Sequence, residues 1–190
     1  MTSVSRPPSR HQTPENTVEI AQHYIRDLVY GALDGIVTTF AVVAGVSGGA
    51  LSLKAVLVVG AANLFADGLS MGVGNYLSIR SHESALAAQN RPEEEAQPIR
   101  HGLATFVSFV VVGAVPLIPY LTPELAIGRF EASCAVTLVV LFGVGAARAM
   151  VTTDSWWWSG IEMLMLGVAV AAAAYGAGAL VADWVGDTGP

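Results

Sequence analysis

The sequence predicts an all-α integral membrane protein with five transmembrane helices. Of its 190 residues, 53% are hydrophobic and only 13% are charged, whereas soluble domains carry about 25% charged residues. The mean hydropathy is +0.56, and the apolar residues are concentrated in long runs. No segment alternates polar and apolar residues with the period of two that transmembrane strands require. The net charge of −6 argues against nucleic-acid binding.

Five apolar runs are long enough to cross a bilayer, because about 20 helical residues at 1.5 Å each span a hydrocarbon core of about 30 Å. They follow a tail, residues 1–14, which is predicted to be disordered, and an amphipathic lead-in, residues 15–27. The predicted spans are 28–52, 55–79, 103–121, 132–149 and 156–182, within a transmembrane domain of residues 15–185.

The predicted linker of residues 80–100 is the one sizeable loop. It contains His82, Glu83 and the run Glu93–Glu95. A charged run of this kind is typical of a solvated face, and a transient metal-collecting site is the alternative. Later in the chain, Pro116 and Pro119 predict a kink or an early end of the third span.

The basic residues predict that the N-terminus is cytoplasmic and the C-terminus is outside. In this orientation only Lys54 and Arg129 lie outside. Seven others lie inside, namely Arg6, Arg10, Arg26, Arg80, Arg91, Arg100 and Arg148. Because no targeting segment is visible, we expect the plasma (inner) membrane.

Polar residues inside the spans are the candidate functional residues. A carboxylate at membrane depth costs several kcal/mol unless it is neutral, paired or beside a wet path, so Asp34 in span one is a functional hypothesis by default. In span two, Asn63, Asp67, Met71 and Asn75 recur every four residues and therefore share a helix face. In span five, Glu162 belongs either to the interface or to the pathway.

The depth of two of these residues predicts a metal site. Asp34 is eight residues after Arg26 and Met71 is nine before Arg80, which places each about 12–14 Å below the interface. A carboxylate with a thioether favours Fe²⁺, or Mn²⁺ and Co²⁺, over Mg²⁺ and Ca²⁺. Two acids also offer proton sites, because a metal displaces protons from its ligands.

Structural roles are the alternatives for the same residues. Asp34 could cap a kink or bond a neighbouring helix, and Met71 could be a packing residue. Asn63 and Asn75 could join helices by hydrogen bonds.

Three pairs of glycines in spans one and two have the small-xxx-small spacing that permits close helix packing. They predict approach of the two spans either to each other or to a partner subunit, and hence a homodimer packed through these spans. The pairs are Gly31/Gly35, Gly45/Gly49 and Gly68/Gly72.

Three segments, RDLVYGALDGIVTTFAVVAG, ADGLSMGVGNYLS and RHGLATFVSFVVVGAVPLIPY, resemble the vacuolar iron transporter family, which includes nodulin-21-like proteins. The resemblance extends from Arg26 to about Gly178. It implies five transmembrane helices, a homodimer, and proton-coupled export of Fe²⁺, sometimes Mn²⁺, from the cytosol. It also assigns the membrane pathway to the aspartate of the DG pair and the methionine of SMG, which are Asp34 and Met71.

Two departures from the family pattern concern metal identity and coupling. Plant-type members carry a glutamate-rich metal-binding domain between spans two and three, where this chain has only its short linker. Two family glutamates are replaced by Asn63 and His23. Asp67 is the candidate for the missing acidic role, one turn further along.

The leading hypothesis is therefore a divalent-metal/proton antiporter rather than an enzyme. We expect no resident cofactor, since the metal is cargo. The partners are then divalent metal ions, protons, the lipid bilayer and a second subunit. One alternative is a non-transporting anchor or metal-sensing subunit of an iron-handling partner. Another is a proton-coupled carrier of an organic solute. It predicts aromatic or cationic side chains that hold the solute at mid-membrane, and no basic residue lies deep in any span.

Overall fold

The structure is a computed structural model that describes residues 7–9, 16–123, 127–149 and 155–187. All regular structure in this part of the chain is helical, which confirms the predicted class. The α-helices are α1 (Thr17–Gly48), α2 (Leu53–Ala88), α3 (Pro98–Gly113), α4 (Ile118–Leu121), α5 (Arg129–Arg148) and α6 (Trp156–Asp187). The tail predicted for residues 1–14 lies outside the described residues apart from 7–9.

Five helical segments are long and apolar enough to cross a membrane, as predicted. They are Gln22–Gly48, Leu53–Ala88, Pro98–Leu121, Arg129–Arg148 and Trp156–Gly186. Large apolar side chains stay exposed on these helices, as a lipid environment requires. Examples are Val58, Phe65, Leu69, Leu103, Val111, Leu166 and Leu180. The protein is thus a multi-pass membrane protein.

The helix α1 includes the lead-in and the first span without a break. It begins after Asn16, whose side chain accepts a hydrogen bond of 2.9 Å from the backbone N–H of Glu19, a standard N-cap. It ends at Gly48, four residues before the predicted end of span one, because Ala50 adopts a left-handed conformation with φ 53°. Ser52 then caps α2.

The helix α2 continues to Ala88, nine residues beyond the predicted end of span two. The first part of the predicted linker is therefore helical, and the loop is reduced to residues 89–97. The helix stops where Asn90 takes a φ of 55°, a conformation that asparagine tolerates better than most residues. The short loop holds its residues close to the helix ends.

The third span is broken as its two prolines predict. The helix α3 ends at Gly113, a 3₁₀ turn covers Val115–Leu117, and α4 follows. The break frees backbone carbonyls, which need partners in a membrane. Ser133 of α5 supplies one, donating a hydrogen bond of 2.7 Å to the carbonyl oxygen of Pro116.

The glycine pairs pack within the chain, against α3 and α6. A Cβ atom built on Gly31 would lie 2.5 Å from the carbonyl oxygen of Thr105, and one on Gly72 would lie 2.8 Å from that of Gly102. Gly35 and Gly68 meet Phe109 of α3, while Gly45 and Gly49 face α6. The predicted contact of these pairs with each other is wrong, since α3 and α6 occupy their faces. Their contact with a partner subunit stays a prediction.

Candidate functional site

Two carboxylates on the neighbouring helices α1 and α2 are within electrostatic range of each other. Asp34 is half-buried in α1, and the negative charge of Asp67 in α2 acts on it. Asn63 donates a hydrogen bond of 2.8 Å to Oδ2 of Asp67. Asn63 thus orients an acid of its own helix, and the hydrogen bond to another helix expected for it is not formed. We call Asp34 and Asp67 the acidic pair.

The carboxylate of Asp34 keeps its oxygens available. Within the described part of the chain, no group donates a hydrogen bond to it. The hydroxyl of Thr38 donates instead to the backbone oxygen of Asp34, at 2.7 Å. Neither structural alternative for this carboxylate, capping a kink or bonding a neighbouring helix, is what the structure shows. A half-buried acid without donors suits a cation or a proton.

Met71 lies one helical turn from Asp67, so both residues occupy the same face of α2. Its side chain is partly buried and packs against an apolar cluster that includes Leu64 and Phe109. The thioether therefore contributes to packing beside the acidic pair. Its role as a metal ligand stays a prediction.

Glu162 occupies a different environment. Its side chain is 62% exposed, and Arg148 of α5 donates to it at 3.2 Å. The structure thus gives the predicted ligand Glu162 an exposed ion pair instead of a place beside Asp34.

A second polar group lies at the end of the bundle that carries the 89–97 loop, which we call the loop end. It consists of His23 of α1, Glu95 of the loop and His101 in the first turns of α3. Oε2 of Glu95 lies 3.1 Å from Nε2 of His23 and 2.9 Å from Nε2 of His101. The ligand atoms of all three residues lie within 4.8 Å of one another. We call this group the His–Glu–His cluster.

Neighbouring groups hold the ligands of this cluster in place. His101 is buried, and its Nδ1 is hydrogen-bonded to Oδ2 of Asp27, which leaves Nε2 directed at Glu95. Oε1 of Glu95 accepts the backbone N–H of Gln97 at 2.8 Å. Glu83 of α2 accepts the backbone N–H of Glu95 at 2.7 Å. The loop is thereby fixed so that Oε2 of Glu95 faces both histidines.

Asn75 joins three helices next to the cluster. Its Nδ2 donates at 2.8 Å to Oδ1 of Asp27 on α1 and at 2.8 Å to the hydroxyl of Thr105 on α3. The helix-joining role that the sequence suggested for Asn75 is confirmed. Because Asp27 also binds His101, the cluster and the helix junction form one network.

The cluster lines a cleft of about 590 Å³. Three of the four histidines in the chain contribute to it, with four carboxylates and a single arginine: His23, His82, His101, Asp27, Glu83, Glu94, Glu95 and Arg26. Such a surplus of carboxylates raises the local concentration of cations. The linker is thus folded against helices, which favours the metal-collecting alternative over a solvated run.

The cluster and the acidic pair lie along one polar stripe. Asp27 and Asp34 are seven residues apart on α1, so they face the same side about 10 Å apart. On α2 the stripe runs from Asn75 through Met71 to Asp67. The stripe therefore extends from the loop end into the middle of the bundle.

Sequence reasoning missed Asp27 and His101. One usable signal was present in α1, where His23, Asp27 and Asp34 are spaced by four and seven residues, as residues of one helix face are. The same periodicity was recognised in α2. Nothing local links Glu95 or His101 to that face, because both reach it only through the fold of the loop.

The VIT family model matches residues 25–96 and 86–179. The chain belongs to the VIT family. The two matched segments overlap at residues 86–96, where the loop lies. The overlap lies between spans two and three, where the absence of a plant-type metal-binding domain stays a prediction.

Three relatives illustrate the similarity. A vacuolar iron transporter of Toxoplasma gondii is 28% identical, over 90% of this chain and 79% of its own length. Vacuolar iron transporter 1 of Arabidopsis thaliana is 26% identical, over 82% and 85%. Vacuolar iron transporter homolog 1 of Oryza sativa is 31% identical, over 85% and 75%. Their names refer to the vacuole, so they lend no support to the plasma membrane expected from the sequence.

Proposed function

We propose that this VIT family protein carries a divalent metal ion, Fe²⁺ or Mn²⁺, across a membrane in exchange for protons. The observation that carries the proposal is Asp34, a half-buried carboxylate in a membrane-spanning helix with a second acid beside it. Relatives named vacuolar iron transporters align with most of the chain, which supports the same conclusion.

The acidic pair offers a physical basis for exchange. Two nearby carboxylates repel each other, and either a divalent cation or protons relieve the repulsion. A metal ion that binds the pair displaces protons from it. Binding of metal and of protons at the pair is therefore mutually exclusive, which couples the movement of one to the other.

The direction that we propose is export from the cytosol. The excess of arginine at the loop end favours a cytosolic position for that end. The carboxylate-rich cleft then faces the cytosol and attracts cations toward the polar stripe. We retain the homodimer as part of the proposal on the basis of the family resemblance.

The alternative is a metal-sensing or anchoring subunit that binds metal without moving it. The specific observation in its favour is that the His–Glu–His cluster has more fixed ligands than the acidic pair. Only the transporter moves metal across the membrane, so metal flux distinguishes the two functions.

The test is metal flux into proteoliposomes under a pH gradient. Asp34→Asn keeps the size of the side chain and removes the charge. A bound divalent ion then loses one of its two anionic partners. We expect Fe²⁺ flux to fall by at least about 100-fold, which corresponds to about 2.8 kcal/mol.

Glu162→Gln is the matched control, because an exposed ion pair contributes only about 0–1 kcal/mol. Its flux should stay within about fivefold of wild type. Near-normal flux in Asp34→Asn would contradict the assignment of the site. Wild-type protein that binds metal without any flux would favour the sensing subunit.

A further inference from the structure

We propose that His23, Glu95 and His101 form a second metal site, distinct from the acidic pair, that binds a divalent transition-metal ion at the loop end. This inference does not depend on transport or on its direction. It concerns equilibrium binding by ligands that come from α1, the 89–97 loop and α3.

The ligand atoms of the cluster are close enough together to share one metal ion. In a tetrahedral site with metal–ligand bonds of about 2.0–2.1 Å, ligand atoms lie about 3.3 Å apart. Oε2 of Glu95 is 3.1 Å from one histidine nitrogen and 2.9 Å from the other. The ligand atoms of the two histidines lie within 4.8 Å of each other, so side-chain rotations can bring all three ligands around one ion. The open cleft leaves space for water as a fourth ligand.

His101 is oriented for metal binding by the residue behind its ring. It is 5% exposed, and its Nδ1 is hydrogen-bonded to the carboxylate of Asp27. A carboxylate is an acceptor, so Nδ1 donates to Asp27. Nε2 is then the ring nitrogen left for a metal ion, which would replace the proton shared with Oε2 of Glu95. Histidine ligands in metalloproteins are oriented in this way by a carboxylate behind the ring.

Glu95 is held in place through its Oε1 atom and its backbone N–H. Gln97 donates to Oε1, and Glu83 fixes the backbone of the loop. The oxygen that remains, Oε2, is the one that faces both histidines. A merely charged surface loop does not need this double attachment.

The ligand types define the class of ion. Two imidazole nitrogens and one carboxylate suit Fe²⁺, Co²⁺, Zn²⁺ or Ni²⁺. They do not suit Mg²⁺ or Ca²⁺, which prefer oxygen ligands. A large excess of Mg²⁺ should therefore leave the bound ion in place.

The experiment uses Co²⁺ as a probe with the full chain in detergent, in an Asp34→Asn background. This background removes a carboxylate of the acidic pair, so that the remaining binding is that of the cluster. We expect one Co²⁺ per chain by calorimetry, with visible absorption bands of four- or five-coordinate Co²⁺. His23→Gln and His101→Gln should each weaken binding by at least about 10-fold.

His82→Gln is the control, because His82 lines the same cleft but is 61% exposed and contacts Glu94 rather than the cluster. If the His23 and His101 variants bind Co²⁺ as tightly as the His82 variant, the inference is wrong. Absence of stoichiometric binding to the parent protein would also overturn it.

A folding defect can be separated from loss of the site. His101 is buried, so His101→Gln can also destabilise the fold, whereas the side chain of His23 is 24% exposed. If His101→Gln is unstable, the result for His23→Gln tests the site. Normal flux in the wild-type protein, together with no Co²⁺ binding by the Asp34→Asn protein, would overturn the second site alone. Co²⁺ binding without any flux in the wild-type protein would overturn only the transport proposal.

Discussion

The acidic pair and the His–Glu–His cluster lie on the same stripe and are constructed differently. Asp34 receives no hydrogen bond on its carboxylate from the described residues, and the one orienting contact in the pair is within α2. In the cluster, His101 and Glu95 each have a supporting hydrogen bond behind the ligand atom. The acidic pair is therefore loosely held, whereas the His–Glu–His cluster is braced by hydrogen bonds.

This difference indicates different demands on the two sites. A site that a cation only passes through must bind it and also release it, so firmly fixed ligands would slow the passage. A braced set of ligands loses little conformational entropy on binding and therefore favours retention of the ion. The contrast can be tested by disturbing each region and the packing that connects them.

The largest effect is expected from Gly72→Leu, since Gly72 follows Met71 where α2 passes α3 between the two regions. A Cβ atom there would lie 2.8 Å from the oxygen of Gly102 and 2.9 Å from Cβ of Phe106. Overpacking of this kind costs about 1–3 kcal/mol or more. We expect a lower midpoint of thermal unfolding in detergent, with loss of both flux and Co²⁺ binding.

Gly74→Leu is the control, because a Cβ atom at Gly74 would meet nothing within 4 Å. It should unfold at the temperature of the wild-type protein or above. If the two variants unfold at the same temperature and only Gly72→Leu weakens dimer association, the result would support the predicted contact of Gly72 with a partner subunit.

A smaller effect is expected from Asp27→Asn, which weakens the support of His101 and leaves all three ligands present. Loss of such a partner typically reduces metal affinity by about 10–100-fold. Calorimetric titration with Co²⁺ measures the change, and Glu94→Gln in the same cleft is the control. Unchanged affinity would mean that Asp27 only joins helices through Asn75.

The smallest effect is expected from Met71→Leu, which removes the sulfur and keeps the volume. Stability should change by less than about 1.5 kcal/mol. If the thioether is a ligand, Fe²⁺ and Co²⁺ flux should fall more than Mn²⁺ flux, because Mn²⁺ relies least on sulfur. An equal loss for the three ions would mean that Met71 shapes the pore, and no loss would mean that it is a packing residue.

The fold was largely predictable because its signals are local. Five apolar runs of sufficient length, two prolines in the third span and four-residue spacing of polar residues in α2 needed no tertiary information. The helix ends were less predictable. Residues 80–88 look like a polar linker, yet they continue α2 because nothing in them stops a helix before Asn90.

The sites were predictable only in part. Asp34 and Asp67 stood out because carboxylates are rare within apolar runs. The partners of the glycine pairs could not be read from spacing, since a small face permits close packing without specifying which helix fills it. His101 and Glu95 lie in polar surroundings, where charged residues are ordinary, and only the fold of the 89–97 loop brings them to His23.

The hydrogen bonds of Asn75 have a mechanical consequence. They tie α1 and α3 to α2 at the loop end, so these three helices can move there only as a single block. At the far end the third span is interrupted between Gly113 and Ile118, where regular helical bonding is lost. We therefore expect rocking of the bundle to be easiest about the loop end, with the largest displacements at the opposite surface.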